Sequence, residues 1–127
     1  MKEFTDFLTN YQATEDVVIF GAGTLGKLTL IALKKKNIKV SFFCDSDIRK
    51  HNKSINNIKI ISPEDLDSLN KSTNIFICAI YFSSIVPLLE KKGFKFLYKS
   101  TELLEELDVN EHYKEVVIEG NGYLEPL

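Results

Sequence analysis

No stretch of this sequence is apolar for anything near the ~20 residues that a membrane-crossing helix needs. Its opening, MKEFTDFLTN, lacks the unbroken apolar segment of a secretory leader. No membrane insertion is expected, and a cytoplasmic setting is. Positive charge is not in excess either: 16 Lys and Arg stand against 18 Asp and Glu, a net charge of −2. Such a balance gives no basic field for a phosphodiester backbone, so nucleic acid is not an expected partner. Cysteine is scarce. Cys44 and Cys78 each fall at the end of an apolar run, no C-x-x-C occurs, and neither His51 nor His112 has a second ligand at useful spacing. The two thiols read as small buried hydrophobes, and no metal site is expected. Repeats and low-complexity segments are missing. What is present, 44% hydrophobic and 27% charged residues over 127 positions, has the composition and size of one globular domain and is too short for a complete two-domain dehydrogenase.

The organising feature is VVIFGAGTLGKLTL, residues 17–30, in which an apolar run meets glycines spaced G-x-G-x-x-G. Before it, Phe4, Phe7, Leu8 and Tyr11 fall at the spacing of one helix face, so Lys2 to Gln12 reads as an amphipathic helix. The run VVIF is apolar throughout, as a parallel strand covered on both faces is. Thr24 to Lys36 reads as a helix, with Lys34, Lys35 and Lys36 at the negative end of its dipole and Asn37 as a left-handed exit. Lys39 to Cys44 is a second strand. The polar segment Ile48 to Asn57 reads as a loop, and Ile58 to Ile61 as a short third strand. A helix then starts with Ser62 as N-cap, Pro63 at the first helical position and Asp65 returning a capping-box bond, ending near Leu69. Asn74 to Ile80 is a fourth strand. Ser83 or Ser84 caps a helix that carries Pro87 in its first turn and ends at Gly93. Phe94 to Tyr98 is a fifth strand, and Thr101 to Leu107 a helix with Leu103, Leu104 and Leu107 inward. The rest of the chain carries an apolar triplet, Val116 to Ile118, and an Asn-Gly turn signal, and its structure is left open.

Strands alternating with helices predict an α/β fold with a five-stranded parallel sheet of order 3-2-1-4-5, helices on both faces, and a crevice where the chain reverses direction. Three parts are expected: a leading helix in 1–15, a nucleotide-binding unit in 16–107 and an extension in 108–127. In this arrangement Gly21 lets the chain turn out of the strand, Gly23 leaves room for a phosphate, and Gly26 lets the helix approach the sheet. The phosphate would rest on unpaired N–H groups at the positive end of the helix dipole. The other reading is a turn that only shapes the fold. Asp45, at the end of the second strand, is placed to bond an adenosine ribose, which favours NAD over NADP; Asp47 could take or share that role. Arg49, Lys50 and Lys53 are either a solvated loop or a clamp for a phosphate of NADP, coenzyme A or a nucleotide sugar.

Catalytic groups are harder to find. Tyr81 lies just past the fourth strand, without the lysine of a Tyr-x-x-x-Lys pair, and with Phe82 it reads first as a packing lip around a sugar or base. Ser83 and Ser84 have no evident base, and His51 and His112 have no identifiable partner.

The stretch from Val17 to Asp47, with the later INNIKIISPEDL, resembles the Rossmann-like, three-layer nucleotide-binding domains of bacterial surface-polysaccharide enzymes. It is similar also to the NADH-sensing domain of the repressor Rex and to coenzyme A-binding domains. The resemblance implies that Gly21, Gly23, Thr24, Leu25 and Gly26 line the phosphates and that Asp45 with Ser46 holds ribose or base. Asn57 stands where those domains often have glycine, and the left-handed β-helix hexapeptides and DNA-binding domain found in some of them are absent. The function expected is therefore a module that binds NAD or a nucleotide sugar and lacks a full active site, with a catalytic domain or subunit as partner. The alternatives are a small NAD-dependent oxidoreductase or epimerase completed by homodimerisation, with Tyr81 reaching the substrate, and an NAD(H)- or coenzyme A-responsive regulatory module.

Overall fold

The structure, a computed structural model, describes residues 3–78, 82–108, 112 and 125–126. Its elements run α1 (Phe4–Asn10), β1 (Val17–Phe20), α2 (Thr24–Lys35), β2 (Phe42–Cys44), β3 (Lys53–Ile55), β4 (Ile58–Ile61), β5 (Asn74–Ile77), α3 (Phe82–Lys91), β6 (Phe96–Lys99), α4 (Thr101–Glu105) and the short β7 (Glu125–Pro126). Two 3-10 turns, Ile48–Lys50 and Glu64–Ser68, flank the β3–β4 pair.

The strands form one mixed sheet of seven in the order β6-β5-β1-β2-β4-β3-β7. This corrects the expected five-stranded parallel sheet of order 3-2-1-4-5. β1, β2, β4, β5 and β6 pair in parallel, but β3 runs antiparallel to β4, with Ile55 opposite Ile58, and β7 runs antiparallel to β3. The departure originates in residues 48–57, expected as a loop. Asn56 and Asn57 both adopt positive φ, 50° and 66°, the pair of left-handed residues that makes a two-residue hairpin turn with the right twist for its strands. Asparagine enters that region more readily than other side-chain-bearing residues because its amide bonds locally. Ile55, fully buried, anchors the hairpin in the core.

Both faces of the sheet are covered, which is why β1 is apolar at every position. Val17 and Ile19 pack with Leu28, Leu33 and Phe76 beneath α1, α2 and α4; Val18 and Phe20 pack with Leu66 and Leu89 on the α3 side. α1 belongs to this core. The Phe7 ring stands edge-on to Phe76 at 5.0 Å and to Tyr98 at 5.3 Å, and the Phe4 N–H donates to the Glu102 carboxylate at 2.9 Å, tying α1 to α4. Leu8, expected on the buried face, is 54% exposed: α1 is only two turns long, and Phe4 and Phe7 fill the contact.

Local signals translate unevenly. Asn37 (φ 60°) and Gly93 (φ 99°) end α2 and α3 in the left-handed conformation. Ser62 and Asp65 exchange reciprocal bonds of 3.1 and 3.2 Å, but the segment they open is a 3-10 turn. Pro87 lies inside α3 beyond its first turn, and Ser83 and Ser84 sit within the helix. The N–H that Pro87 lacks would have met the carbonyl of Ser83, an exposed residue whose carbonyl water can satisfy. No helix among the described residues is long and apolar enough to cross a membrane.

Candidate functional site

The carboxyl ends of β1, β2, β5 and β6 lie along one edge of the sheet, and the glycine turn leaves β1 at that edge. The fold requires two of its three glycines, each for its own reason. Gly21 has φ 118°, a conformation that side chains rarely adopt. At Gly26 an added Cβ would fall on the Gly21 carbonyl and 3.4 Å from the Phe43 ring, so the bare Cα sets how closely α2 lies on the sheet. Gly23 meets neither need: its φ is −103° and a Cβ there would find no atom within 4 Å. Gly23 is the N-cap of α2, and Lys27 N–H to Gly23 carbonyl is the first bond that closes a helical turn, at 3.0 Å. The N–H groups of Thr24, Leu25 and Gly26 therefore precede any intrahelical acceptor, and Thr24 and Leu25 are exposed.

Asp45 faces this turn. One carboxylate oxygen accepts from Ala22 N–H at 2.8 Å and lies 3.5 Å from the Lys50 ammonium; the other accepts from Asp47 N–H at 2.8 Å. A carboxylate offers about four acceptor positions, so these contacts leave it room for one further donor. Its main chain is held as firmly, N–H to the Ile61 carbonyl at 3.1 Å and carbonyl to His51 Nε2 at 2.7 Å. The His51 bond fixes the proton on Nε2, since a carbonyl can only accept.

Asp47 has another task. It accepts from Arg49 N–H at 3.0 Å as cap of the 3-10 turn and holds the Arg49 guanidinium through two further bonds of 3.0 and 2.9 Å. The Arg49 guanidinium beside it holds the Asp47 carboxyl down at about 2. Arg49 and Lys50 are thus paired within the loop, while Lys53 lies on β3. Ser46 is exposed. Tyr81 lies outside the described residues, and so does the Val116 to Ile118 triplet.

A second concavity, of about 310 Å³, opens on the other side of the α2 N-terminus, against the ends of β5 and β6. Leu25, Ile77, Cys78, Phe82 and Leu104 give it apolar walls, and Lys99, Ser100 and Thr101 its polar groups. The Cys78 thiol lies 3.3 Å from the Thr29 hydroxyl, which itself donates to the Leu25 carbonyl at 2.7 Å. The thiol also lies 4.0 Å from the Phe76 carbonyl, to which it donates. Burial pushes the Cys78 and Cys44 thiols up, so neither is a nucleophile at neutral pH.

A family model described as C2185-like, N-terminal, matches residues 13–93. The chain belongs to this C2185-like family. No curated protein matches it. The matched span holds the glycine turn, Asp45 and the β3–β4 hairpin, whereas β6 and α4, with Lys99 to Leu104, lie beyond it.

Two features of the C2185-like unit escape sequence reasoning. His51, expected in a loop without a partner, is half-buried against Asp45. Lys27, in the α2 turn that follows the glycines, has its ammonium pushed below the usual lysine range by burial and, secondarily, by the charge of Lys50. Neither had a signal beyond identity, because both depend on the fold bringing residues 45–51 against the start of α2. Among the described residues, no three or more His, Cys, Asp or Glu are arranged to hold a metal ion.

Proposed function

We propose that this chain is a binding module for a nucleotide-type ligand, NAD or a nucleotide sugar, whose phosphates rest on the N–H groups of Thr24, Leu25 and Gly26. The observation that carries the reading is Gly23. Gly21 and Gly26 are explained by the fold itself, but Gly23 has ordinary dihedrals and empty space where a side chain would go. A glycine at the N-cap that neither its dihedrals nor the packing requires leaves room for something outside the chain to come close to it. Lys27 and Lys50 add a positive flank, and a bound anion would offset the burial and, secondarily, the charge of Lys50 that lower the Lys27 ammonium. Asp45 braces the turn first and offers its remaining acceptor position to one ribose hydroxyl. The wider setting, bacterial surface-polysaccharide synthesis with chemistry supplied by another domain or subunit, is drawn from the sequence resemblance. The family description, an N-terminal unit, suits a module of that kind.

The test separates stability from binding. Serine is preferred over glycine at an N-cap by a few tenths of a kcal/mol, so Gly23→Ser should keep or raise the melting temperature. The same hydroxymethyl group fills the space meant for the phosphate. Thermal-shift titrations with NAD, NADH, NADP, coenzyme A and UDP-sugars should therefore raise Tm for the unmodified chain with at least one ligand, and Gly23→Ser should abolish that rise. No shift with any of them at millimolar concentration, or an undiminished shift in Gly23→Ser, would overturn the reading.

A further inference from the structure

The cleft against β5 and β6 has a chemistry unlike that of the glycine turn. Its volume, about 310 Å³, is at the lower end of small-molecule pockets at roughly 300 Å³ and above, and about twice the ~150 Å³ that admits a single benzene ring. Its rim exposes two large apolar side chains, Leu25 at 43% and Phe82 at 37%, an arrangement that leaves hydrophobic surface to water unless something covers it. Among its described lining residues only Lys99 is charged. The Lys99 ammonium stands 4.8 Å from the centre of the Phe82 ring, so ring and cation share the mouth. At the floor the Cys78 thiol lies between the Thr29 hydroxyl and the Phe76 carbonyl, and both Cys78 and Ser100 are buried.

We propose that this cleft binds a small aromatic monoanion, its rings between Leu25, Phe82 and Leu104 and its carboxylate or sulfonate on Lys99. A single cation matches one negative charge and is a poor match for a diphosphate, which separates this site from the glycine turn next to it. The assignment does not depend on what occupies that turn.

The probe is 8-anilinonaphthalene-1-sulfonate, whose emission rises when its rings leave water, compared with N-phenyl-1-naphthylamine, which has the same rings without the sulfonate. The full chain should bind one sulfonate probe per molecule, at least about tenfold more tightly than the neutral one, as expected for a charge-assisted contact. Lys99→Glu should erase that preference and Phe82→Ala should weaken both probes, with Lys95→Glu as a charge control that changes neither. In the unmodified, isotope-labelled chain, amide shifts on adding the sulfonate should centre on Leu25, Ile77, Cys78, Phe82 and Lys99 to Leu104, a readout that needs no variant to fold. Gly23→Ser should leave probe affinity unchanged. Equal affinity for the two probes, shifts centred elsewhere, or loss of probe binding in Gly23→Ser would overturn the proposal.

Discussion

The carboxylate of Asp45 accepts a 2.8 Å hydrogen bond from the N–H of Ala22, so the end of β2 holds the turn that leaves β1. Ala22 is buried, and a buried N–H without an acceptor costs about 1–3 kcal/mol. Asp45→Asn keeps the shape but replaces one acceptor oxygen with an amide that cannot accept. It should lower stability by about 1–3 kcal/mol in urea unfolding and weaken nucleotide binding in the same variant. A change below about 0.5 kcal/mol would mean that the turn holds its shape without this brace.

The hairpin turn offers a cleaner backbone test. Asn57 sits at φ 66°, so Asn57→Gly should leave the unfolding midpoint nearly unchanged. Asn57→Val, β-branched in a left-handed conformation, should cost about 1–3 kcal/mol. Similar midpoints for the two variants would argue against the antiparallel β3–β4 pairing.

Phe7 and Leu8 are adjacent in sequence and opposite in environment, 0% and 54% exposed. Truncation of a buried phenylalanine costs about 3–5 kcal/mol, whereas an exposed leucine away from such features changes stability by about 0.5 kcal/mol or less. Phe7→Ala should therefore bring the chain close to unfolding at room temperature, and Leu8→Ala should behave as the parent in thermal melts.

Tyr98 makes a prediction in alkali. Burial, with the carboxylates of Asp6 and Glu15 adding to it, pushes its phenol up to about 12 from a usual 10.0. A raised value in the folded state means that the folded chain holds a proton which the unfolded chain gives up. The stabilising contribution is complete below pH 10.0 and is lost as pH rises towards about 12. Ultraviolet titration of tyrosinate should show one of the five tyrosines ionising late, together with unfolding. Tyr98→Phe should remove that late phase and flatten the alkaline loss of stability.

Signals carried by neighbouring residues were legible in the sequence; those that depend on distant partners were not. The glycine turn, β1 and α2 announce themselves because one short segment holds an apolar run, three glycines and a helical period. Asn37 and Gly93 disclose helix ends through their own backbone preferences. β3 stayed hidden because Lys53-Ser54-Ile55 has a single large apolar residue, and what makes it a strand is Ile55 reaching a core built by other segments. The same limit applies to the site. Spacing put Asp45 near the turn, but only the fold shows its carboxylate bonded to Ala22 and separates it from Asp47, which is turned to Arg49. Of the cleft only the place was legible, as a crevice where the chain reverses direction; its lining was not, because the walls come from α2, β5, α3, β6 and α4.

The contact between Phe7 and Tyr98 joins an early part of the chain to a late one. During translation the aromatic face of α1 leaves the ribosome long before β6, the strand it must dock on, has been made. For that interval Phe4 and Phe7 have no core to enter. Closure of this half of the molecule must therefore wait until β6 has been made, and until then the nascent chain carries an aromatic pair without its docking strand.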